Sequence, residues 1–353
     1  MKKLPQKFTA CVAPVLAFAI ICMGTQPAAL AQDIPAGEGE PDSGDERGIT
    51  DSGNAHTGIF HLNQSDADGT QQGNSFAIGA VADKGAAIVD TVSSQNADRS
   101  DFQSRSYGPA AITNAANQSA GLTAINQSAA PGSSQVNSAA IAFSQDQQSL
   151  ALASAGAQIS AGNSPSRTLD IAPSATIHDM ANGTVGMVQV NQIAGNAGGQ
   201  INLVAIAAAG NGIAGAEAIA SGNSGSAAEI IPADAALFQP ASLAITDSFN
   251  AMTGLAQVNQ ASGANNVQVN LVAAAFGQDA FATAISDTSL GNVSPAPDTL
   301  AAGEQDASAD RPSLAGSFDG FVGVGQISQV SGIGNRTSNS IAVAVTHLPA
   351  AQP

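Results

Sequence analysis

One motif, repeated five times at fixed internal spacing, constrains this 353-residue chain more than any other feature. In its fourth copy it runs Ile245-Thr246-Asp247-Ser248-Phe249-Asn250, then Gly254-Leu255-Ala256-Gln257-Val258-Asn259-Gln260, then Gln268-Val269-Asn270-Leu271-Val272-Ala273-Ala274. The central pair recurs as Asn63-Gln64, Asn126-Gln127, Asn191-Gln192 and Asn259-Gln260, and as Ser328-Gln329 in the last copy. Eleven residues after the central position stand Asn74, Asn137, Asn202, Asn270 and Asn339; nine before it stand Asn54, Asn117, Asn182, Asn250 and Asp319. A glycine lies five before it every time, at Gly58, Gly121, Gly186, Gly254 and Gly323. Constant offsets across linkers of unequal length mark structural repeats, in which each copy buries its apolar face only against its neighbours.

Within a copy the period is two, the signature of a strand. Met187, Gln189 and Asn191 point to one side and Val188, Val190 and Gln192 to the other; on the return segment Gln200, Asn202, Val204 and Ile206 share a face. Stretches rich in Gly, Ala, Ser and Asn, 194–199 and 262–266, read as the turns between strands. An amide on an inward face is costly to bury unless it is hydrogen-bonded. Equivalent copies stacked about 4.8 Å apart remove that cost, because each side-chain amide donates to its counterpart in one layer and accepts from the other. The expected fold class is all-β: a repetitive β-solenoid or cross-β stack of five strand-turn-strand repeats with long loops. Asn63, Asn126, Asn191 and Asn259 are expected to form one ladder, Asn74, Asn137, Asn202, Asn270 and Asn339 a second, and Gln64, Gln127, Gln192, Gln260 and Gln329 a third.

The repeat region is expected to span 49–346, with copies at about 49–92, 112–155, 177–221, 245–288 and 314–346, followed by a tail at 347–353. Segments 86–89, 150–153, 216–219 and 281–285 alternate small and aliphatic residues and offer a further strand to each layer. Segments 164–173, 232–240 and 295–312 are rich in Pro, Asp and Ser and are expected to loop outward.

Residues 1–31 read as a cleaved export signal. Lys2, Lys3 and Lys7 flank an apolar stretch from Phe8 to Met23, and Ala29-Leu30-Ala31 supplies the small residues of a cleavage site. The apolar stretch is shorter than a bilayer span and is interrupted by Pro14, so no membrane insertion is expected after cleavage. Cys11 and Cys22 both leave with the signal, so disulfides, Cys nucleophiles and Cys metal sites are excluded from the mature chain. Residues 32–48 read as an acidic flexible linker. Ten Lys and Arg against 27 Asp and Glu, a formal net charge of −17, exclude a nucleic-acid-binding surface. With no Trp and 4% aromatics, a bulky aromatic core is excluded too.

These repeats resemble those of bacterial functional-amyloid subunits, the curlins and the Fap fibre proteins. The resemblance is carried by the Asn-Gln pair, by the turn exemplified in Gly195-Asn196, and by the Gln-x-Asn of Gln200-Ile201-Asn202 that opens the return strand. Long linkers match the Fap arrangement better than the contiguous curlin repeats. Five copies instead of the usual three, and no Cys-x-x-Cys near the end, depart from it. The resemblance implies Gln/Asn strands that stack into an extracellular cross-β fibre.

No catalytic residue, cofactor or metal site is expected. His56 and His61 are close in sequence, but neither position is His in the other copies. His178 and His347 read as solvated, His347 beyond the last strand. Asp66 and Asp68 stand in the first turn without the glycine signature of calcium-binding repeats. No Gly-x-Ser-x-Gly elbow can be assembled with a positioned His and Asp. The expected function is a secreted structural protein that reaches the cell surface or exterior through the periplasm. It would form or nucleate amyloid-like fibres of a biofilm matrix, with self-association, a secretion channel and chaperones as its partners. The alternative is a monomeric β-solenoid adhesin whose loops bind a surface or glycan.

Overall fold

The computed structural model describes residues 48–65, 69–82, 85–97, 110–129, 132–161, 174–196, 198–224, 242–278, 281–290 and 312–347. Each copy of the motif lays down one layer. Layer one holds β1 (Gly48–Thr50), β2 (Thr57–Ser65), β3 (Gln71–Val81) and β4 (Ala86–Asn96). Layer two holds β5 (Ala110–Thr113), β6 (Ala120–Ser128) and β7 (Ser134–Ala161), whose two halves serve as third and fourth segments. Layer three repeats this with β8 (Ser174–His178), β9 (Val185–Asn196) and β10 (Gly199–Ser224). Layer four has β11 (Ser242–Thr246), β12 (Thr253–Ala264), β13 (Val267–Gln278) and β14 (Ala282–Leu290), and layer five β15 (Ser313–Ala315), β16 (Val322–Ile333) and β17 (Arg336–His347).

Equivalent strands pair in parallel and in chain order: β1-β5-β8-β11-β15 in one sheet, β2-β6-β9-β12-β16 in the next, and β3-β7-β10-β13-β17 in the third. The fourth segments stack in parallel in the same way, β4 on the second half of β7, that half on the second half of β10, and β10 on β14. The register is that of the motif. Asn191 pairs with Asn126 and Asn259, and Asn202 with Asn137 and Asn270. The fold class expected from the sequence, an all-β stack of repeats, is the observed one.

The unit is larger than strand-turn-strand. A strand of three to five residues precedes each long pair, and layers one to four add a fourth segment built from the Ala-rich stretches. The turns are tighter than the composition of 194–199 and 262–266 implies: β9 runs through Asn196 and β12 through Ala264. In a parallel stack each residue of an inner layer has an equivalent neighbour above and below, so pairing carries weak strand formers such as Gly and Asn into the ladder. At the boundaries, Gly48 pairs with Ala111, and His347, expected beyond the last strand, pairs with Gln278. Segments 1–47, 164–173, 232–240 and 295–311 lie outside the described residues, as do Asp66 and Asp68.

Three cores separate the four segments. Between first and second, Ile112, Ile177 and Ile245 stack against Ile125, Val190 and Val258. Between second and third, Leu122, Met187 and Leu255 meet Ile141, Val204 and Ile206, alongside the buried amides. Between third and fourth the contact is largely alanine, with Ala140, Ala205 and Ala273 facing Ala153, Ala216 and their neighbours. An alanine buries little area, whereas a buried Leu, Ile or Met stabilises by roughly 1.5–3 kcal/mol. The outer core therefore contributes through close sheet approach and many residues.

The bend between first and second segments places non-glycine residues in the left-handed region at alternate positions, as Asp247 (φ 52°), Phe249 (φ 61°) and Ala251 (φ 51°) do. Asn114, Ala116 and Gln118 do the same in layer two. Each such residue costs about 1–2 kcal/mol. Hydrogen bonds to the next layer hold the bend regardless: Phe249 N–H donates to the Met180 carbonyl (2.6 Å) and Phe318 N–H to that of Ser248 (2.9 Å).

Candidate functional site

The second and third segments bring the central and return-strand asparagines of the motif face to face. Asn126, Asn191 and Asn259 each donate from Nδ2 to the Oδ1 of the equivalent asparagine one layer nearer layer one, at 2.9, 3.0 and 3.1 Å. Opposite them, Asn137, Asn202, Asn270 and Asn339 do the same at 3.0, 2.9, 3.0 and 2.9 Å, starting from Asn74. Rungs join the columns: Asn202 donates to Asn191 (3.0 Å) and Asn191 to Asn137 (3.0 Å). Asn191 Nδ2 also reaches the Val136 carbonyl at 2.9 Å. Asn126, Asn137, Asn191, Asn202, Asn259 and Asn270 are fully buried, while Asn63 at the layer-one end is exposed.

The glutamines Gln64, Gln127, Gln192, Gln260 and Gln329 project to the other side, toward the first sheet. Their Nε2 groups donate along the column at 3.0, 2.8, 2.9 and 2.8 Å, again toward layer one. Gln127, Gln192, Gln260 and Gln329 each also donate to a first-sheet carbonyl, as Gln192 does to Thr176 (2.9 Å). In layer five the Asn column ends in Ser328, which is hydrogen-bonded to Thr337 and accepts Gln268 Nε2.

Two further ladders run the opposite way. Gln72, Gln135 and Gln200 donate successively toward layer five, ending on Gln268, at 2.7, 3.0 and 2.6 Å. Gln189 donates to Gln257 (2.9 Å) and Gln257 to Gln326 (2.8 Å). These opposed columns offset part of the dipole of the three that point toward layer one. The sequence signal for these columns was a Gln two residues before the central position in three copies, and the Gln of Gln-x-Asn. Gln189 Oε1 is buried without a hydrogen-bond partner because layer two has Ala124 at that position.

His56 and His61 do not converge on a common point. His56 Nδ1 lies 2.7 Å from the Gly53 carbonyl and its Nε2 3.3 Å from Thr123 Oγ1, while the His61 ring stands edge-on to Phe76 with centroids 4.6 Å apart. His178 is exposed, 3.8 Å from the Asp247 carboxylate. Among the described residues no group of three His, Cys, Asp or Glu is assembled.

Burial pushes the His61 pKa below its ordinary value of 6.5, and Nε2 has no hydrogen-bond partner. The folded chain therefore binds this proton less well than the unfolded chain. Its contribution to stability is intact well above pH 6.5 and is lost as pH falls from there through the lowered folded-state pKa. Urea midpoints compared at pH 7.5 and 5.5 are expected to drop more for the wild type than for His61→Gln; equal drops would contradict a buried neutral imidazole.

The model of the functional amyloid protein FapB/FapC family matches residues 28–206 and 163–346. The chain belongs to this family. No solved structure matches it. The first match ends within the third copy and the second takes in the third, fourth and fifth, so the two overlap on layer three.

Proposed function

We propose that this FapB/FapC-family chain is a secreted structural subunit. It assembles into, or nucleates, extracellular amyloid-like fibres of a biofilm matrix and serves surface adhesion. Residues 1–31 direct its export, and a separate secretion channel and chaperones carry it outward. One observation carries the reading: among the described residues, layers one and five leave the outer edges of their strands unpaired, in the register used between all inner layers. Folded proteins ordinarily shield such edges, because an open strand templates pairing with another chain. Here the open edge also presents amide columns of the kind that stabilise cross-β assemblies.

The purified chain is expected to form unbranched fibres with a meridional reflection near 4.8 Å. Their strand signal should accumulate with a lag that seeds remove. A chain that stays monomeric for days at high concentration, and unfolds cooperatively, would sink this reading and favour a monomeric adhesin.

A further inference from the structure

Two contacts at the ends of the stack specify how a second copy attaches, given the fibre reading above. The first is a glycine column. Gly121, Gly254 and Gly323 adopt φ near 140°. A Cβ on any of them would lie 1.8–1.9 Å from the carbonyl oxygen of the equivalent glycine in the layer nearer layer one. Gly58, the layer-one member, has nothing within 4 Å of that position. Its own folding does not require the space there, which is the space the layer-five backbone of a preceding copy would occupy.

The second contact is an asparagine in the left-handed bend, used twice in each of layers one to four. Its Oδ1 accepts the backbone N–H of the equivalent residue in the next layer: Asn117 to Asn54, Asn182 to Asn117, Asn250 to Asn182 and Asp319 to Asn250, at 2.7–2.8 Å. Its Nδ2 donates to a next-layer carbonyl at 2.8 Å: Asn54 to Asn114, Asn117 to Asp179, Asn182 to Asp247 and Asn250 to Gly316. Layer five carries Asp319 here, and it is exposed. A carboxylate keeps the acceptor and lacks the donor. Continued by one layer, the pattern gives Asp319 the Asn54 N–H of the second copy. It also sets Asp319 against that copy's Asp51 carbonyl, with the Asp51 carboxylate alongside.

We propose that the outer edge of layer five is the seat for layer one of a second copy of this chain. Gly58 permits the approach and Asp319 limits how tightly the seat holds. The polarity follows from the ladders. In the columns from Asn74 to Asn339 and from Gln64 to Gln329, which run opposite to the column ending at Gln326, every amide donates toward layer one, so these two columns present acceptor oxygens at layer five and donors at layer one. Contact between two layer-five edges would oppose acceptors and make the strands antiparallel.

The test is seeded elongation of the purified full chain, with strand circular dichroism and the urea midpoint of the monomer measured alongside. Gly58→Ala is expected to keep the strand spectrum and to slow elongation by at least about tenfold. Added in small amounts to wild-type growth, it should stop one fibre end only. Asp319→Asn is expected to elongate about fivefold faster than wild type, the equivalent of one hydrogen bond, with an unchanged monomer midpoint. Asp319→Ala, which removes the charge without supplying a donor, should fall between them. Wild-type elongation should rise more steeply with salt than that of Asp319→Asn, because the Asp51 and Asp319 charges are screened in addition to the general repulsion of the acidic chains. Wild-type fibres whose growth is unaffected by Gly58→Ala, or is no faster with Asp319→Asn than with Asp319→Ala, would overturn the seat and leave the fibre reading standing. If neither wild type nor any variant forms fibres or end-to-end oligomers, both fall.

Discussion

Gly254→Ala is expected to break the stack between layers three and four. The added Cβ would sit 1.9 Å from the Gly186 carbonyl oxygen, 2.8 Å from its carbon and 3.1 Å from its nitrogen. These are backbone atoms, so no side-chain rotation relieves the contact. Either the second sheet separates locally or the residue abandons φ 138° and the bend before it. A backbone clash combined with a strained φ belongs to the mechanisms that cost more than about 4 kcal/mol, a large share of a domain's usual 5–15 kcal/mol. Gly58→Ala supplies the internal comparison. It meets no atom in its own chain and bears only the left-handed penalty of about 1–2 kcal/mol. Urea unfolding followed by circular dichroism should therefore separate the two variants by several kilocalories. Similar midpoints would contradict the close parallel register of the second sheet.

Asn191→Leu is the second large effect. Leucine has similar bulk, so the loss is chemical. Asn191 donates to Asn126 Oδ1, Asn137 Oδ1 and the Val136 carbonyl, and accepts from Asn202 and Asn259 at 3.0 and 3.1 Å, all in a fully buried site. Removing it leaves donors and acceptors from three layers in a dry interior, where each orphaned group costs about 1–3 kcal/mol. With partial relaxation the expected loss is about 3–5 kcal/mol. Asn63→Leu, at the exposed layer-one end of the same column, should cost about 1 kcal/mol or less in the monomer. Equal losses at the two positions would show that the column gains nothing from burial.

Much of the architecture was legible because the repeat is a register. In a parallel stack, residues at the same offset from Asn191 pair with one another, so counting along the chain already gave the partners of β9 and β10. The two-residue period sorted the faces correctly: Met187, Gln189 and Asn191 face the third segment, and Val188, Val190 and Gln192 face the first. The short strands were not legible. Segments such as Ile245-Thr246 hold too few residues for a period of two to emerge. Nor were the left-handed bends, since Ala116, Gln118 and Phe249 lack the glycine signature that would mark them. The role of Asn54, Asn117, Asn182 and Asn250 was hidden for the same reason: their constant spacing was visible, while their bonds depend on carbonyls turned toward them by that bend.

The division between the two sources is physical. By itself, the sequence determined that there are five layers, which residues stack on which, and that buried amides must pair, because those follow from offset, period and the cost of an unpaired polar group. Only the tertiary structure decided that a short strand precedes each long pair and that the segments enclose three cores. It alone decided which way each amide column points. That direction is set by the carbonyl each side chain finds on the neighbouring sheet, Thr176 for Gln192 and Gln192 for Gln200, and no periodicity within a strand encodes what lies across from it.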